Sequence, residues 1–179
     1  RVSTRPHQGR SCPVRSTNGA ATGDCMSAAG DRLLADGPSG ESPAEIRHRT
    51  LTELKKTVRH HPAVDLAAGV ADDAGRFREL EVTFDPHILD VDAESASLRI
   101  EWRPRPDPSE PAYFVFHYYD SMGRDVGWHR DPNPHVDRLE HRQERDSPDE
   151  EYEYEPAYFE SQSPVALLWD ILGRIEERL

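Results

Sequence analysis

Tyr113-Phe114-Val115-Phe116-His117-Tyr118-Tyr119 is followed by Asp120-Ser121-Met122-Gly123-Arg124 and then by Val126-Gly127-Trp128-His129-Arg130. The first stretch is apolar on both faces and rich in aromatic and β-branched residues, which marks a central strand. The middle stretch is a hairpin turn, with Gly123 supplying a backbone angle that other residues resist. The last stretch returns antiparallel. A hairpin at the centre of the chain makes the fold a β-meander, and the flanking segments extend it.

On the N-terminal side, Leu98, Ile100 and Trp102 alternate with Arg99, Glu101 and Arg103, and Leu80, Val82 and Phe84 alternate with Glu79, Glu81 and Thr83. Each reads as a strand with one buried face. Pro104, Pro106, Pro108 and Pro111 form the loop before the central strand, and Ala71-Asp72-Asp73-Ala74-Gly75 a turn. Further upstream, Ser42-Pro43-Ala44-Glu45 is a helix start of the capping-box type. Ile46, Thr50, Leu51, Leu54 and Val58 give that helix one apolar face, Lys55, Lys56, Arg59 and His60 load its last turn, and Pro62 ends it. His60-His61 reads as its C-terminal cap. On the C-terminal side, a short strand is expected around Val136 to Arg142, then an acidic loop over 143–156. Ser163-Pro164 starts a closing helix striped by Val165, Leu168, Ile171, Leu172, Ile175 and Leu179. The expectation is an α+β domain over 42–179: an antiparallel meander of four or five strands with both helices on one face.

Composition sets the surroundings. The chain has 179 residues, 35% hydrophobic and 31% charged, with net charge -12. Residues 1–25 carry four arginines against one acid, so the rest holds -15. Residues 1–41, punctuated by Gly, Ser and Pro, read as a disordered segment, with Met26 as the expected true start. Lys55 and Lys56 are the only lysines among 22 basic residues. Many acids and few lysines is the balance of a salt-adapted protein, whose carboxylates repel little when the Debye length is about 3 Å. Cys12 and Cys25 both precede the domain, which excludes a disulfide framework or a thiolate zinc site within it. No apolar run approaches the ~18 residues a membrane helix needs. The first residues lack an apolar signal core, and the expected location is the cytoplasm.

Chemistry concentrates in residues 117–141, where four histidines fall within 25 positions. His117 and His129 lie on strands joined by a tight turn and meet across it if the register puts both on one face. His135 follows the bend Asp131-Pro132-Asn133-Pro134. A metal-independent ribonuclease needs a base for the 2′-hydroxyl, an acid for the leaving oxygen and a cation on the phosphate. Histidine suits the first two roles and arginine the third. The candidate catalytic residues are His117, His135 and His141, with Asp131 orienting an imidazole. Arg124, Arg130 and Arg142, with Tyr118, are the candidate substrate contacts. His117, His129, His135 and Asp131 also offer ligands for zinc or manganese, but without compact spacing, and neither metal nor cofactor is assigned. Phe114, Phe116, Tyr118 and Trp128 are expected in the core.

This segment resembles the TumE-type family of prokaryotic toxin–antitoxin toxins. Phe116-His117-Tyr118 is similar to that family's Tyr-His-Tyr strand, Asp131, Pro134 and His135 to its Pro-His-His motif, and His141 to part of its later His-x-His. His129 and Arg130 stand where an Arg-aromatic pair is expected, Pro132 replaces Asn, Val136 the second His, and Gln143 the last His. The resemblance implies a small α+β toxin that acts on RNA and is neutralised by a cognate antitoxin. The missing histidines and the acidic surface support an alternative, a non-catalytic binding or accessory protein on the same fold.

Overall fold

The computed structural model describes residues 40–107 and 109–179. The expectations for the N-terminal segment, its start at Met26, and Cys12 and Cys25 lie outside the described residues.

Helix α1 (Pro43–Val58) opens with the anticipated box. The Glu45 N–H donates to Ser42 Oγ at 3.3 Å, and the Ser42 N–H donates to the Glu45 carboxylate at 2.8 Å. That satisfies donors a helix start otherwise leaves orphaned. Seven strands follow: β1 (Val64–Ala71), β2 (Phe77–Phe84), β3 (Ala96–Arg103), β4 (Tyr113–Asp120), β5 (Asp125–Arg130), β6 (Glu140–Arg145) and β7 (Glu153–Pro156). Helix α2 (Pro164–Glu176), capped by Ser163, closes the chain. Spatial order equals sequence order, β1 to β7, all antiparallel, with β4 in the centre.

One face of the sheet carries Leu80, Val82 and Phe84, then Leu98, Ile100 and Trp102, then Phe114, Phe116 and Tyr118, then Val126 and Trp128. Leu51, Leu54 and Val58 of α1 and Leu168, Ile171, Leu172 and Ile175 of α2 pack on it. Each such side chain, fully buried, contributes roughly 1.5–3 kcal/mol of hydrophobic stabilisation. Among the described residues no helix covers the opposite face, and the polar partners in each alternation point there.

The fold class stands, but the sheet is larger than the four or five strands expected. β1 was not anticipated, because its Ala- and Gly-rich sequence lacks a hydrophobic alternation. The strand sought at 136–142 runs instead over Glu140–Arg145, while Val136 forms an isolated bridge with Asn133. β6 and β7 take both ends of the expected acidic loop and leave only 146–152 between them. Arg59, not His60-His61, caps α1. His61 is buried and reaches Glu176 of α2 at 3.1 Å, so it ties the ends of the two helices together.

Candidate functional site

Strand parity decides which side chains meet. Phe116 and Tyr118 point into the core, so His117 between them faces the uncovered side. Val126 and Trp128 point inward, so Asp125, Gly127 and His129 face outward with it. His117 pairs with Gly127, and His129 pairs with His141 of β6. The three imidazoles form a ladder across β4, β5 and β6, with ring centroids 5.5 Å apart for His117–His129 and 5.1 Å for His129–His141.

Gly127 makes the ladder possible. A Cβ there would lie 2.3 Å from His129 Nε2 and 3.2 Å from His117 Nδ1. Those two nitrogens are buried and have no hydrogen-bond partner.

Each end of the ladder is held by a carboxylate. His117 Nε2 is bound by Asp125 Oδ1. Asp125 Oδ2 accepts from Tyr152 Oη at 2.5 Å and Arg145 Nη2 at 3.3 Å. Burial raises the Asp125 pKa, but the hydrogen bonds from His117 and Tyr152 and the nearby positive charges outweigh it, and the net shift is downward. Burial first, and then Asp125, push the Tyr152 hydroxyl up to about 12. At the other end, Asp131 Oδ1 lies 3.9 Å from both His129 Nδ1 and His141 Nε2, while its Oδ2 accepts from Arg103 Nη2 at 2.8 Å. His141 is fully buried, with Nδ1 3.1 Å from the Leu139 carbonyl and Nε2 3.1 Å from Asn133 Nδ2. Burial first, then the electrostatic influence of the flanking imidazoles and of Arg99 and Arg103, hold His129 down to about 3, so its ring is neutral.

A cleft of about 330 Å³ opens beside the ladder, lined by Glu81, Arg99, His117, Tyr119, Asp125 and Tyr152. Glu81, Arg99 and His117 stand directly opposite one another on β2, β3 and β4. Tyr119 Oη donates to Glu81 at 3.1 Å, and burial followed by Glu81 raises its pKa. The Arg99 Nε is buried without a hydrogen-bond partner. A larger groove of about 550 Å³ lies elsewhere, lined by Ile46, Trp102 and Pro164, and its Arg105 and Glu110 neutralise each other at 2.8 Å. It offers no acid–base pair.

Of the residues singled out in the sequence, His117, Asp131 and His141 share the uncovered face, joined by His129. His135 is exposed, its ring stacked on Tyr154 of β7 at 4.4 Å rather than on the ladder. Arg130 lies on the helix-covered face, 1% exposed and bonded to Glu140 at 2.6 and 2.9 Å. Arg142 is on that face too, bonded to Glu144 and Glu155 at 2.7 Å each. Tyr118 is core, donating to Asp120 at 3.1 Å, its pKa raised by burial. Arg124 sits after the hairpin turn, 3.7 Å from Asp146, in a different cleft. None of these five residues lines the His117 cleft. Glu81, Arg99, Arg103, Asp125 and Tyr152 were not singled out. Four of them had a signal: they alternate with inward apolar residues, as His117 does. Tyr152 had none, because it lies in a run of acids.

What this arrangement can do chemically is limited but definite. It offers a carboxylate, a guanidinium and a carboxylate-backed imidazole in one row, and beside the row a compact pair of imidazoles with a carboxylate. No protein-family model, curated protein or solved structure matches the chain.

Proposed function

We propose that this chain cleaves RNA without a metal in the chemical step, and that it acts as the toxin of a toxin–antitoxin pair. The observation carrying the catalytic reading is the cross-strand row Glu81–Arg99–His117 in one cleft, with Asp125 behind the imidazole. The toxin reading rests on the TumE-like stretch around His117. Neighbouring strands lie about 4.8 Å apart, so Glu81 and His117 flank Arg99 with roughly 10 Å between their backbones. That separation seats a phosphate on Arg99 between a base and an acid. Glu81 takes the 2′-hydroxyl proton as that oxygen attacks phosphorus. Arg99 neutralises the phosphate oxygens. His117 Nε2–H is held by Asp125, which also lines the cleft; as substrate enters, the departing 5′-oxygen displaces that carboxylate and takes the Nε2 proton. The products are a 2′,3′-cyclic phosphate and a 5′-hydroxyl end. Tyr119 and Tyr152 wall the cleft and suit stacking on a base. Arg99, Arg103 and Arg145 bring positive charge to this face, each beside a carboxylate: Glu101, Asp131 and Asp125.

The test is incubation of the purified full chain with RNA in molar KCl, without added metal, and identification of the product ends. Glu81→Gln and His117→Asn should each lower the rate by about 10²–10⁴-fold, the range for losing a general base or acid. Expression of the wild type should arrest growth, and His117→Asn should relieve the arrest. RNA binding without cleavage would replace this reading with the non-catalytic binding protein.

A further inference from the structure

We propose that His129, Asp131 and His141 bind one divalent transition-metal ion of the zinc type, at a site separate from the Glu81–Arg99–His117 row. One ligand atom from each residue lies within 4.8 Å of the other two. Around a tetrahedral zinc with bonds near 2.0–2.1 Å, ligand atoms stand about 3.4 Å apart. The 3.9 Å spacings from Asp131 Oδ1 to both imidazoles contract slightly, and the two imidazole nitrogens, within 4.8 Å of each other, close further on the ion. Paired strands set the frame: His129 and His141 are direct partners on β5 and β6, and Asp131 is the second residue after His129.

The surroundings are those of a ligand set. His141 Nδ1–H donates to the Leu139 carbonyl, which leaves Nε2 with its lone pair turned toward Asp131. Arg103 holds Asp131 by Oδ2 and leaves Oδ1 to the ion. Asn133, whose amide now donates to His141 Nε2, swings aside when the ion binds, and a water takes the fourth position.

The unpartnered pair over Gly127 is an independent observation pointing the same way. Because His117 Nε2 is committed to Asp125, its proton sits there and Nδ1 is an acceptor. An ion on His129 Nδ1 forces that ring's proton onto Nε2. Of the two buried nitrogens beside Gly127 that lack partners, His129 Nε2 then carries a proton and His117 Nδ1 a lone pair. The ion thus fixes the tautomer of His129 and of His141. It also pins the loop between β5 and β6 to both strands.

The experiment is titration of the chelator-stripped full chain with Zn²⁺ by calorimetry, together with nitrogen-resolved NMR of the imidazoles. The wild type should gain one saturable site, with His129 switching to the Nε2–H form. Asp131→Asn and His129→Gln, both at residues that still touch solvent, should weaken that site by at least about 100-fold. They also keep the test decisive if His141→Ala fails to fold. His117→Asn should retain the site while losing RNA cleavage, so this proposal and the ribonuclease reading stand or fall separately. No saturable Zn²⁺ site in the wild type, or equal affinity in Asp131→Asn and His129→Gln, would overturn it.

Discussion

Tyr152 and Asp125 share one short hydrogen bond, and the two groups shift in opposite directions. The tyrosine is held neutral up to about 12, against an ordinary value of 10.0. In the unfolded chain the phenol loses its proton near the ordinary value, while the folded chain keeps it. The stabilisation is therefore complete below pH 10 and is lost as pH rises toward 12. Tyr118 and Tyr119, also raised, add to the same slope. Denaturation midpoints measured in steps through this window should fall, and Tyr152→Phe should remove part of the fall. The residues on the His117 side were legible in outline. An imidazole out of phase with Phe116 and Tyr118 has to share a face with Arg99 and Glu81, which are out of phase with Leu98 and Leu80. The same parity sends Arg130 inward with Val126 and Trp128, although its charge argues for solvent. Glu140 reverses that argument by neutralising it inside, and no local pattern advertises a partner ten residues away.

The start of β6 depends on that pair. Glu140 Oε1 accepts twice from Arg130, and Oε2 accepts the Phe159 N–H at 3.3 Å, so one carboxylate joins β5, β6 and the segment leading to α2. The Arg130 guanidinium also lies over the Phe114 ring, 4.8 Å from its centroid. Glu140→Ala would leave a buried unpaired cation and should cost about 3–5 kcal/mol in urea denaturation. Arg130→Met combined with Glu140→Leu should recover most of that loss, because it removes both charges together. Among the elements, α1, β2, β3, β4, β5 and α2 announced themselves through period, caps and turn residues. β1 did not, since only Ala67 of Val64–Ala71 is buried. β7 did not either, since Glu153-Tyr154-Glu155-Pro156 reads as solvated loop until β6 supplies the partner.

Across the whole molecule, charge is the term most open to the solvent. With a net charge of -12, the compact state carries more self-repulsion than the expanded one. Salt shortens the screening length from about 10 Å at 0.1 M to about 3 Å at 1 M. The unfolding temperature should therefore rise from dilute buffer to molar KCl. A flat or falling curve would mean that the surface ion pairs, weakened by the same screening, contribute more than the repulsion. Among the described residues, no helix is long and apolar enough to cross a membrane.

An open meander has two rims, and this one finishes them differently. β7 is four residues long, carries Glu153 and Glu155 and ends in Pro156, so an incoming chain finds negative charge and soon runs out of backbone to pair with. β1 is twice that length, and its Leu66 is 56% exposed. Among the described residues, its irregular pairing with β2, at Val64–Leu66 and Val70–Ala71, which twists the strand at both ends, and Asp65 are what it has against lateral growth. Strand-to-strand association of this protein, where it occurs, begins at the β1 rim.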